Sequence, residues 1–103
     1  MQVIVPKLEY KFGEVLTASV SGVADWAAVL LKDPRFIGHE LRGSPVLLVQ
    51  SGLPNNTPSQ LTIKLHWGGF MSKVVAPGTY LLKVLGHDTS FVGEEADLMI
   101  KIS

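Results

Sequence analysis

Apolar and polar residues alternate along much of this chain with the period of an extended strand. From Leu61 to Lys83 the sequence is LTIKLHWGGFMSKVVAPGTYLLK. Leu61, Ile63, Leu65 and Trp67 fall on one face, while Thr62, Lys64 and His66 fall on the other, which predicts a half-buried strand. Gly68 and Gly69 break that pattern, and Pro77-Gly78 turns the chain into Thr79–Leu85. In this second segment apolar residues occupy both faces, as in a central strand.

The remaining segments read the same way. Val3-Ile4-Val5 is interrupted by Pro6, which lacks a ladder donor and so suits an edge strand. Lys11-Phe12-Gly13 predicts a turn, and Glu14–Ser21 alternates with Leu16, Ala18 and Val20 toward the core. In Val23–Asp33, residues Val23, Trp26, Ala27, Leu30 and Leu31 match helical spacing, yet the apolar run is short enough for a buried strand. The strand is the preferred reading, with the helix as its alternative. Asp33-Pro34 predicts a turn, followed by a short edge strand at Phe36–Leu41, a second turn at Arg42-Gly43-Ser44 and a strand at Pro45–Gln50. Ser51–Ser59 is a loop rich in proline and asparagine. Gly86–Gly93 is a turn region, after which Ala96, Leu98, Ile100 and Ile102 alternate with Asp97, Met99, Lys101 and Ser103 in the last strand.

Seven or eight short strands with turn signals between them predict an all-β, antiparallel β-sandwich, immunoglobulin-like in class. A chain of 103 residues makes one domain, 1–103, with a core large enough to fold without staples. Nine basic residues balance nine acidic ones, so no global field favours nucleic acid or an anionic membrane. Cysteine is absent, which excludes a disulfide framework and thiolate chemistry. No apolar run approaches the length of a membrane-spanning helix and no signal-peptide pattern opens the chain, so membrane insertion is not expected.

From Trp26 to Asp88 the layout resembles the immunoglobulin-like module of the flagellar hook-capping protein family. Leu30-Leu31-Lys32-Asp33 with Phe36–Leu41 matches that family's first strand pair and its intervening turn. Trp67-Gly68-Gly69 stands at its tryptophan-glycine element, and Pro77-Gly78-Thr79-Tyr80 matches its Pro-Gly-x-Tyr element. About 60 of the 103 residues fall within the resemblance, and a fibronectin-type-III-like sandwich is the weaker match. The resemblance implies a noncatalytic spacer, scaffold or contact domain of a larger extracellular or cell-surface protein. Its partners would be neighbouring domains or another protein.

The polar residues offer little chemistry beyond this. His39-Glu40 and His87-Asp88 place carboxylates beside imidazoles, but adjacent strand residues point to opposite faces, and no metal-ligand spacing accompanies them or His66. Ser90, His87 and Asp88 contain the residue types of a hydrolytic triad without a nucleophile elbow. Glu94-Glu95 with Asp88 and Asp97 lacks a calcium-loop pattern. No catalytic residue, cofactor or metal is assigned, and the protein is not expected to be an enzyme. Asn55-Asn56-Thr57 has the form of a glycosylation acceptor.

Trp26, Trp67, Phe70 and Tyr80 would form a carbohydrate-stacking platform if exposed on one surface, so a polysaccharide is the alternative partner. Trp67 and Tyr80 share their strand faces with aliphatic residues and are expected in the core. Phe70 and Met71, between glycines and a lysine, are the candidate contact residues, since apolar side chains on a loop mark a surface for a neighbour.

Overall fold

A computed structural model describes residues 1–53, 55–65, 77–88 and 93–103. Each alternating segment within them becomes a strand: β1 (Gln2–Ile4), β2 (Glu9–Tyr10), β3 (Val15–Ser21), β4 (Asp25–Ile37), β5 (Glu40–Gln50), β6 (Gln60–Lys64), β7 (Gly78–His87) and β8 (Gly93–Ile102). They form a sandwich of two sheets, β1-β3-β6 and β2-β8-β7-β4-β5. The ambiguous segment around Trp26 is strand, because its two neighbours β5 and β7 supply backbone partners on both sides from Ala27 to Lys32.

Leu16, Ala18 and Val20 of β3 and Leu61 and Ile63 of β6 interdigitate with Trp26, Ala28 and Leu30 of β4, Tyr80, Leu82 and Val84 of β7, and Ile100 and Ile102 of β8. Burial of these inner faces is the principal driving force for joining the sheets, at roughly 25 cal/mol per Å² of apolar surface. The predicted inward set of β3 is therefore confirmed, as are the central position of β7 and the turn at Phe12-Gly13. Gly13 holds φ at +90° there, and its amide donates to the Leu65 carbonyl at 2.7 Å.

The N-terminal run divides between the sheets. β1 pairs antiparallel with β3, whereas β2 pairs parallel with β8 through Glu9–Lys101 and Tyr10–Ile102. One parallel pair thus departs from the fully antiparallel expectation. Pro6 lies at the crossing, where a residue without an amide donor leaves no ladder bond unmade.

Two predicted turns are corrected. Asp33-Pro34 and Arg42-Gly43-Ser44 lie inside strands β4 and β5, and the chain reverses instead at Gly38-His39. The Phe36–Leu41 segment is accordingly no separate strand but the end of one hairpin. Asp33 takes a left-handed conformation, φ +52°, at a register shift between Lys32 and Arg35. Aspartate tolerates that conformation because its short polar side chain bonds locally. What reads as a turn signal is therefore a β-bulge, which bends a strand without ending it. β7 likewise continues one residue past Gly86, the start of its predicted turn region.

Candidate contact surface

The β4–β5 hairpin outgrows its sheet. Pairing of β4 with β7 ends at Lys32–Tyr80, and beyond it, among the described residues, β4 pairs only with β5, out to Ile37–Glu40. This two-stranded arm carries a second register shift between Leu30 and Leu31, and the two irregularities bend it back over the outer face of the larger sheet. The bend is visible in a cleft of about 360 Å³ lined by His39, Glu40, Leu41 and Arg42 of the arm together with Lys83, Glu95 and Asp97 of β7 and β8.

Under strand alternation, Leu31 and Leu81 belong to that outer face, since Leu30 and Leu82 point into the core. They are cross-strand partners and are nonetheless only 6% and 0% exposed. Gly43 of the arm sits directly over Leu31: a Cβ built at Gly43 would stand 2.6 Å from the Lys32 carbonyl oxygen and 3.0 Å from the Leu31 Cβ. Only glycine lets the two backbones approach this closely. Gly43 is thus a packing residue rather than the turn residue its neighbours suggest.

Charges in the cleft are paired. Lys83 lies 3.5 Å from Glu95 and 3.4 Å from Asp97. Arg42 bonds Glu40, and that guanidinium holds the Glu40 carboxyl below its usual range, with a further lowering from the charge of Lys83. A second cluster stands apart at the start of β3, where Lys7 meets Glu14 at 2.7 Å and lies 4.8 Å from the ring centre of Tyr10. The Lys7 ammonium and the Lys11 amide both bond Glu14 and lower its pKa.

The arm ends in two exposed apolar residues, Phe36 at 73% and Ile37 at 52%. Behind it, the outer face continues as aligned rows across β5, β4, β7 and β8: Leu48, Val29, Lys83 and Asp97, then Gln50, Ala27, Leu85 and Glu95. Leu48 and Leu85 are about half exposed, at 53% and 45%. A cleft of about 450 Å³ closes this end, lined by Asp25, Gln50, Ser51, Leu85 and His87 among others. Ser51 is a strand-end fastener there: its hydroxyl accepts the Trp26 amide at 3.1 Å and lies 3.4 Å from Asp25 Oδ1.

Among the sequence candidates, Pro77, Gly78 and Tyr80 open β7, with Tyr80 buried in the core. Trp67, Gly68, Phe70 and Met71, and with them His66 and Ser90, lie outside the described residues. Trp26 is buried, and its indole N–H donates to the Thr57 carbonyl at 2.9 Å, pinning the 51–59 loop. Asn56 secures the same loop by accepting the Thr62 amide at 2.7 Å. Trp26 and Tyr80 are therefore core residues rather than members of a stacking platform. Asn55 stands exposed at φ +67°.

The two histidines among the described residues do not converge. His39 is at the arm's turn and His87 at the opposite end of the outer face, opposite Asp25. Glu94, Glu95 and Asp97 each meet a cation, the first being 2.6 Å from the terminal ammonium of Met1. Among the described residues no group of three or more histidine, cysteine or acidic side chains is arranged to hold a metal ion.

Phe36 and Ile37 escape sequence reasoning because an apolar pair beside a strand end reads equally as core. Their cue is position: the Gly38-His39 turn follows them directly, and residues flanking the tip of a long hairpin have little sheet to pack against. The described residues thus define an eight-stranded β-sandwich with an arm and an outer face of mixed apolar and charged residues. No protein-family model and no curated protein matches the sequence.

Proposed function

We propose that this domain is a noncatalytic interaction module, immunoglobulin-like in topology, belonging to a larger extracellular or cell-surface protein. The observation that carries the contact role is that the arm and the adjoining sheet face hold Phe36, Ile37, Leu48 and Leu85, four of the ten large apolar side chains exposed among the described residues, with Phe36 the most exposed of them at 73%. Apolar area gathered in this way marks a place where another surface is excluded from water with it. A stiff two-sheet body then acts by display, holding the arm at a fixed angle to the sheet.

Strand order supports the immunoglobulin-like reading. Lettered by that convention, the sheets are A-B-E and A′-G-F-C-C′, the division of strands such sandwiches use. The buried Tyr80 near the start of β7 supports the same reading, since such sandwiches carry a tyrosine near the start of strand F. The extracellular assignment rests on the resemblance of Pro77-Gly78-Thr79-Tyr80 and the preceding strands to the hook-capping module.

An immunoblot of fractionated source cells and medium, using an antibody to this domain, tests the proposal. The expected result is a band larger than this chain in the surface or medium fraction. A cytoplasmic band at the size of the chain alone overturns it.

A further inference from the structure

We infer that the partner of the arm is a second copy of this chain, whose outer sheet face receives it. The inference rests on reading the domain as a contact module and names what it contacts. Two surfaces of the molecule that each keep apolar side chains in water have complementary chemistry. The first is a knob: Phe36 and Ile37 project from a ribbon that carries Lys32, Arg35 and Arg42 against Asp33 and Glu40, an excess of one positive charge. The second is a socket: Ala27, Val29, Leu48 and Leu85 form an apolar floor, bordered by Asp25, Glu95 and Asp97 with Lys83 as the facing cation.

Both halves are apolar at the centre and charged at the border, and the borders have opposite sign. The whole chain is neutral at nine charges of each kind, so copies do not repel one another and the local asymmetry governs approach. The knob cannot fill its own socket in the observed arrangement. Its tip reaches the cleft with Lys83, Glu95 and Asp97, while Phe36 remains 73% exposed and Leu48 and Leu85 remain open.

A knob-and-socket interface closes as a two-fold dimer where two copies exchange arms reciprocally, and otherwise repeats into a ring or an open chain of subunits. Each subunit in such a row keeps one free knob or socket only at the ends. Every one of these arrangements predicts an average mass above that of one chain, rising with concentration.

Complementation tests the inference. Sedimentation velocity or light scattering on the purified chain should give an average mass that rises with concentration. Phe36→Asp, which blunts the knob, and Leu85→Asp, which charges the socket floor, should each weaken association by about tenfold or more. Mixed in equal amounts, the two variants should form a heterodimer and nothing larger, because one retains a working socket and the other a working knob. Circular dichroism verifies folding, and Leu48→Glu at the sheet edge replaces Leu85→Asp if the latter does not fold.

A wild-type chain that stays monomeric up to about millimolar concentration, the weak limit of specific association, overturns self-assembly and leaves the module reading to the immunoblot. Assembly that survives both variants, or a mixture that remains monomeric, overturns the assignment of knob and socket.

Discussion

Replacing Gly43 with alanine separates two physical accounts of the β4–β5 arm. If Gly43 were an ordinary turn residue with room around it, alanine would restrict the unfolded chain and stabilise the fold by about 0.4–1 kcal/mol. In the bent arm the added methyl carbon would begin 2.6 Å from the Lys32 carbonyl oxygen, closer than real Cβ contacts come, and 3.0 Å from Leu31 Cβ. Neither obstacle is the end of a flexible side chain, so one strand of the arm must move away from the other by several tenths of an ångström. Overpacking of this kind costs about 1–3 kcal/mol. At ~4–8 °C per kcal/mol for a domain of this size, the melting temperature should fall by roughly 5–20 °C.

Gly93→Ala is the internal control. Among the described residues that position has nothing within 4 Å of the new Cβ, and its φ is not positive, so it should be stabilised by about 0.4–1 kcal/mol through the unfolded-state effect alone. Urea unfolding followed by circular dichroism reads both variants in one experiment. A Gly43→Ala protein as stable as the parent, beside a stabilised Gly93→Ala, would refute the close approach of the arm to Leu31.

Further outcomes follow from the same geometry. Leu81→Ala should cost about 2–5 kcal/mol in chemical denaturation despite its place on the outer face, because its side chain is fully buried. Leu85→Ala, four residues along that face and half exposed, should cost well under half as much; equal losses would show that the outer face is uniformly open or uniformly covered. The Tyr10 hydroxyl is buried with no well-formed hydrogen bond among the described residues, although the Lys7 backbone lies near enough to act on its pKa, so Tyr10→Phe should change stability by no more than about 1 kcal/mol in either direction. A loss above that in a thermal melt would reveal a bond the hydroxyl makes. Glu14 is held below its ordinary pKa of 4.5 by Lys7 and the Lys11 amide. Its contribution is therefore present above 4.5 and lost as pH falls through the lower folded value, so Glu14→Gln should flatten part of the acid side of the stability–pH curve, and an unchanged slope would exclude this linkage.

Much of this protein was decided locally. Alternation in Val15–Ser21, Gln60–Lys64 and Gly93–Ile102 sets which face of each strand is apolar, because a one-residue slip would turn the whole set to water. Density of such segments was enough for an all-β sandwich, and the apolar character of both faces of Thr79–Leu85 marked β7 as central. Composition and the absence of cysteine likewise excluded a disulfide scaffold before any fold was known.

Only the tertiary structure decided the arm. Asp33-Pro34 and Arg42-Gly43-Ser44 carry the residues of turns, and locally nothing distinguishes a turn from a bulge; the distinction comes from the partner strand, which continues in register beyond it. Gly43 is glycine because of a backbone that arrives from eleven residues earlier, at Lys32. Leu81 and Leu85 alternate identically on β7, yet one is fully buried and the other half exposed. Periodicity assigns a side chain to a face, but what lies over that face is set by contacts distant in sequence, and those also leave Phe36 and Ile37 in water.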